Sequence, residues 1–187
     1  SPYLIELQGM TKAFPGVLAN DAVDLKIKPG EIHALLGENG AGKSTFIKTM
    51  SGVHKPTKGE ITFEGKAMHF DDPRDAIAAG IATVYQDLAM IPLMSVSRNF
   101  FMGNEPIKKI AGMSFFDHNH ANEVTMNEMR AMGINLRGPD QAVGTLSGGE
   151  RQTVAISRAV HFGAKVLILD EPTSALGVRQ TSNVLAT

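Results

Sequence analysis

Residues 37–44 read Gly-Glu-Asn-Gly-Ala-Gly-Lys-Ser, with Thr45 next, and so satisfy the spacing G-x-x-x-x-G-K-[ST]. An apolar, strand-like segment, 31–36, runs into this turn. Beyond it, residues 43–51 have helical spacing, with Phe46, Ile47 and Met50 on one face and Gly52 as the stop. A strand, a Gly-rich turn and a helix in immediate succession constrain the fold to layered α/β architectures. Glycines take backbone angles closed to other residues, so successive N–H groups can turn inward toward phosphate oxygens. The helix start adds the positive end of its dipole. Gly37, Asn39, Gly40, Ala41, Gly42, Lys43, Ser44 and Thr45 are therefore expected to cradle phosphate. Lys43 would reach the β/γ-phosphates, and the Ser44 hydroxyl would ligate Mg²⁺.

The run Val166-Leu167-Ile168-Leu169-Asp170-Glu171 supplies a second half for such a site. A continuous apolar run suits a parallel strand buried on both faces, which delivers its carboxylates at the C-terminal edge where ligand crevices form. Asp170 is placed to hold Mg²⁺ through a water, and Glu171 to polarise the attacking water as general base. Composition excludes several other classes. Lys+Arg at 18 against Asp+Glu at 19 leaves no global basic field for a nucleic-acid partner. With no cysteine there is neither a disulfide framework nor a thiolate metal site.

Strand readings fall at residues 3–7, at 23–27 (where Val23, Leu25 and Ile27 alternate with polar residues before Pro29-Gly30), at 61–63 and at 81–85. Asp72 as cap, Pro73 at the first helical position and Gly80 as stop predict a short helix. Residues 89–161 read as mostly helical, with Asp117 a cap and Gly133 a stop. The expected fold is an α/β phosphate-loop core, 1–88 and 162–187, with a largely parallel sheet and an antiparallel N-terminal part. A helical subdomain, 89–161, is inserted. Asp117-His118-Asn119-His120 reads as a capped helix start, because histidines two apart on a helix point to different faces. Lys108-Lys109 reads as a solvated turn. Residues 90–132 hold seven of the ten methionines, suited either to a surface that receives another protein's helix or to a Met-filled core.

The stretch Leu146-Ser147-Gly148-Gly149-Glu150-Arg151-Gln152 narrows the choice. It is a capping box, Ser147 capping and Glu150 reaching back. Capping does not explain two consecutive glycines at a helix start, where they cost helix stability. Exposed N–H groups of Gly148 and Gly149 beside the Ser147 hydroxyl make a second anion cradle. On these motifs the whole chain resembles the nucleotide-binding domain of an ATP-binding-cassette (ABC) transporter.

That resemblance implies a head-to-tail pair of such domains, with ATP sandwiched between the phosphate loop of one and the signature of the other. Ser147, Gly148 and Gly149 would then bind the γ-phosphate held by the partner. Gln86 matches the family's Mg²⁺- and water-sensing glutamine and heads the segment that touches the membrane subunits. Phe14 matches the aromatic that stacks on adenine, with core packing as the alternative for a lone aromatic. The implied metal ligands are Ser44, Gln86 and Asp170, and the implied catalytic groups are Lys43, Gln86 and Glu171. Where the family places Asp after Pro172-Thr173-Ser174-Ala175-Leu176, this chain has Gly177, which puts coupling between the two sites in doubt. The family's switch histidine falls on a strand after Thr187, so the chain as given is expected to hydrolyse ATP poorly.

Residues 85–87 and 95–103, with Ala175-Leu176-Gly177-Val178-Arg179-Gln180, are similar to the ATPases of bacterial simple-sugar importers. The implied partners are a second copy, transmembrane permease subunits and, indirectly, a periplasmic or extracellular solute-binding protein. The implied place is the cytoplasmic face of the membrane. Rival readings are a soluble, non-transport cassette ATPase and a non-catalytic nucleotide sensor; an intact Glu171 speaks against the second.

Overall fold

The computed structural model describes residues 2–85 and 87–170. They divide into two compact units, whose junction in sequence is Thr83–Val84.

The first unit is built on a four-stranded antiparallel sheet in the order β2–β1–β3–β4. Its strands are β1 (Ile5–Phe14), β2 (Val17–Ile27), β3 (Lys58–Phe63) and β4 (Lys66–Met68). Period-2 alternation buries Ile5 and Leu7 completely. Ile5 lies opposite Ile27 and Phe63, and Leu7 opposite Leu25 and Ile61. The phase then slips at Gly9, whose φ is +57°, so Met10, three residues after Leu7, returns to the buried face. The Gly9 N–H donates to Asp24 Oδ1 at 2.6 Å, which holds the irregular turn of chain in place. β1 therefore runs well past the expected 3–7, because a bulge breaks the period on which a strand reading depends.

Helix α1 (Lys43–Met50) buries Phe46, Ile47, Thr49 and Met50, the face its spacing predicts. Each large apolar side chain taken out of water contributes about 1.5–3 kcal/mol. Helix α2 (Pro73–Ala79) starts at a full capping box: Asp72 accepts from the Arg74 N–H, and the Asp75 carboxylate reaches back to the Asp72 N–H at 3.2 Å. It ends at Gly80 in the left-handed region, φ +97°. Replacing Asp72 with Ala is expected to lower stability by about 1 kcal/mol, read as a shift in the urea midpoint at constant slope.

One expectation fails here. Residues 31–36 form no strand, and Ile32, Leu35 and Leu36 are exposed, Leu36 at 88%. A strand exists through its ladder to a neighbour, and among the described residues no strand pairs with this segment.

Strand β5 (Ile81–Val84) ends at the junction between the units. The second unit carries helices α3 (Val96–Phe100), α4 (His118–Ala131) and α5 (Gly148–His161), a hairpin of β6 (Ile107–Ile110) and β7 (Met113–Phe116), and strand β8 (Val166–Leu169). Its core joins Val96 and Phe100 of α3 to Ala121 and Met129 of α4 and Val154 of α5. His161 Nδ1 lies 2.9 Å from Glu128 Oε1, tying α5 to α4. Buried Asn99 accepts from the Ile91 N–H at 2.9 Å and donates to the Ile91, Met94 and Ser95 carbonyls, each at 3.1 Å. One side chain thus satisfies one N–H and three carbonyls of the loop before α3.

The hairpin departs from the mostly helical expectation. Lys108 and Lys109 sit in β6, paired with Phe115 and Ser114, and the turn is made instead by Ala111 and Gly112, φ +50° and +83°. Two consecutive positive φ values give the backbone twist that matches antiparallel strands. Among the clustered methionines, Met129 and Met132 are buried in the core, whereas Met113 is 60% exposed.

Candidate functional site: a phosphate loop and a second helix cap

In the turn before α1, Gly40 and Gly42 both take left-handed angles, φ +84° and +88°. The Ala41 N–H closes the turn on Glu38 O at 3.1 Å, and the Phe46 N–H makes the first helical bond to Gly42 O at 2.9 Å. Gly42 is the N-cap, with no side chain capping the helix and no acidic residue in its first turn. The first N–H groups of a helix have no acceptor within it, so those of Lys43, Ser44 and Thr45 have no intrahelical partner. Ser44 is exposed. Lys43 Nζ folds back onto the loop, donating to Gly37 O at 2.6 Å and Glu38 O at 2.8 Å. An ammonium held on the loop beside uncapped amides is an arrangement chemically suited to a polyanion.

Strand β2 backs this loop. A Cβ at Gly42 would lie 2.2 Å from Ala19 O and 2.8 Å from Asn20 Nδ2, so neither space nor backbone angle admits another residue. Gly42→Ala is expected to destabilise the protein by about 2–3 kcal/mol, measurable by thermal melting. Asn20 is a contact that reading the sequence missed: it is 7% exposed and donates from Nδ2 to Gly42 O at 3.2 Å. A polar residue in a strand that otherwise alternates gives no hint of which turn it touches.

Phe14, at the end of β1, is 37% exposed, so it is not a core aromatic. Its ring makes an edge contact with His54, centroids 5.4 Å apart, and Lys12 Nζ lies 5.0 Å from its centroid.

In the second unit, Ser147 caps α5 in a reciprocal box. Its N–H donates to Glu150 Oε2 at 2.7 Å and its Oγ accepts from the Glu150 N–H at 3.3 Å. The Ser147 hydroxyl proton remains available to a ligand. Ser147 and Gly148 are exposed and Gly149 is buried. A Cβ at Gly148 would meet nothing within 4 Å, so its lack of a side chain leaves the backbone open to an approaching group. Asp170 follows β8 and donates its N–H to Val84 O at 3.0 Å. Of β8 only Val166 is fully buried, and Leu167, Ile168 and Leu169 are partly exposed, short of the two-sided burial expected. Asp117 accepts from the His120 N–H at 3.3 Å and so caps α4. Gln86, Glu171 and Gly177 lie outside the described residues.

Ser44, in the first unit, and Asp170, in the second, each carry a hard oxygen donor of the kind that suits Mg²⁺. Among the described residues no group of three or more His, Cys, Asp or Glu side chains forms a cage for a metal. No described helix is long and apolar enough to cross a membrane.

The sequence pattern of the ABC transporter family matches residues 20–174. The xylose/arabinose import ATP-binding protein of Sulfolobus acidocaldarius is 44% identical over 97% of this chain and 71% of its own length. A putative ribose/galactose/methyl galactoside import ATP-binding protein of Pseudomonas syringae is 41% identical over all of this chain, which spans only 35% of that relative. Among solved structures, the dimeric post-hydrolysis state of an ATP-binding cassette bound to ADP and Pi superposes with a TM-score of 0.75. It is 25% identical, over 96% of this chain and 79% of its own. With the family pattern covering most of its length and import ATP-binding proteins aligned across nearly all of it, the chain belongs to the ABC transporter family.

Proposed function

We propose that this chain is the ATP-binding and ATP-hydrolysing part of an importer of simple sugars, acting as a head-to-tail pair at the cytoplasmic face of the membrane. The observation that carries the reading is the pairing of an uncapped, lysine-bearing phosphate loop with a second helix start whose Gly148 backbone is bare. One nucleotide needs one such cradle, so two cradles on one chain suit two sites shared between two copies. The dimeric ADP- and Pi-bound relative and the sugar-import relatives support the same reading.

In each site the loop amides of residues 40–45 and the Lys43 ammonium bind the phosphates. Phe14 offers its ring to adenine, and the partner copy's signature closes over the γ-phosphate with the Ser147 hydroxyl and the Gly148 and Gly149 amides. Ser44, Gln86 and Asp170 would hold Mg²⁺, which would supply charge neutralisation at the phosphates. Glu171 accepts the proton of the attacking water, and Gln86 orients that water. The partners are transmembrane permease subunits, which choose the solute, and through them a solute-binding protein. Glu171→Gln in the native polypeptide is expected to bind ATP but not turn it over, so that an ATP-bound dimer accumulates in size-exclusion chromatography. Unchanged hydrolysis with a monomeric elution would remove Glu171 from the role of base.

A further inference from the structure

We propose that Asn20 is a positioning residue that sets the direction of the Lys43 N–H in the phosphate loop; this rests on reading that loop as the phosphate cradle. Gly42 has no side chain and sits at φ +88°, so the peptide that follows it has no steric lock of its own. Asn20 supplies one. Its Nδ2 donates to Gly42 O at 3.2 Å, and the same oxygen accepts the Phe46 N–H at 2.9 Å. In a trans peptide the C=O and the following N–H point in opposite directions. Anchoring the Gly42 carbonyl toward β2 and α1 therefore aims the Lys43 N–H away from them, on the phosphate side. Two donors on one carbonyl also polarise that peptide and make its N–H a stronger donor.

Packing alone does not account for an amide at this position. Asn20 is 7% exposed, and its Oδ1 is buried with no hydrogen-bond partner among the described residues, which is a cost that an apolar side chain of similar size would avoid. The Nδ2 contact with the loop is what the amide provides in return.

The two roles separate experimentally, because Asn20→Leu removes the buried orphan oxygen together with the donor. In the full chain, the ligand-free melting temperature of Asn20→Leu is expected to stay level or rise, while the Kd for Mg·ADP by calorimetry rises about three- to tenfold. Asn20→Ser, whose hydroxyl is too short to reach Gly42 O, is expected to weaken ADP in the same way and covers misfolding of the leucine variant. An unchanged Kd in the folded variants, or affinity and melting temperature falling together, overturns the positioning role. Lys43→Ala, run in parallel, separates the layers. If it too binds ADP like the parent, the phosphate-loop reading itself fails; if only the Asn20 variants are silent, Asn20 alone loses its role.

Discussion

In the native polypeptide, Lys43→Ala is expected to reduce ATP turnover by about 10²–10³-fold while leaving the fold intact. Its ammonium is held on the loop by the Gly37 and Glu38 carbonyls at 2.6 and 2.8 Å. On the proposed reading of the loop, those carbonyls would keep the charge where phosphate oxygens arrive, so little reorganisation would be needed as negative charge shifts in the transition state. Removing one such preorganised donor or cation costs about this much in comparable sites. The side chain is partly exposed and contributes nothing to the apolar face of α1, so the melting temperature should move little. Steady-state hydrolysis, with melting as the control, checks both halves. A variant within threefold of the parent rate would remove Lys43 from the phosphate site.

Gly148→Asp is the second large effect, and it should act without touching the local fold. A Cβ there meets open space. A carboxylate in the first turn of α5 even interacts favourably with the helix dipole, by about 0.3–1 kcal/mol. In the proposed head-to-tail pair the same carboxylate would face the partner's γ-phosphate, and like charges brought together across an interface cost several kcal/mol. Turnover is therefore expected to fall by about 10²-fold or more, with ATP binding to single copies unchanged by equilibrium dialysis. Normal turnover in this variant would mean that the backbone at Gly148 faces no phosphate.

What was legible in the sequence were the signals that act within a few residues. Asp72, Pro73 and Gly80 marked both ends of α2, and Ser147 with Glu150 marked the start of α5. The turn at residues 37–44 and the helix start after it were also legible, since its glycines, lysine and serine fall within eight residues. Features that depend on remote partners were not. Residues 31–36 are apolar enough for a strand, yet strand character needs a ladder that the sequence of one segment does not contain. The β6–β7 hairpin was not legible: Lys108-Lys109 reads as a solvated turn in a mostly helical stretch, whereas both lie in β6 and the chain reverses at Ala111-Gly112 through paired positive φ values. Asn20 escaped notice because its significance comes from the Gly42 carbonyl, twenty-two residues away.

The most direct test of the shared site is complementation between two defective copies of the native polypeptide, Lys43→Ala and Gly148→Asp, each inactive alone. A head-to-tail pair of one with the other contains one pocket built from the sound loop of the Gly148→Asp copy and the sound cap of the Lys43→Ala copy. Mixing the two is expected to restore ATP hydrolysis well above the sum of the separate rates, with a maximum near equal amounts. If the mixture shows only that sum while both variants still associate, loop and cap serve the same nucleotide within one copy, and the shared pocket is wrong.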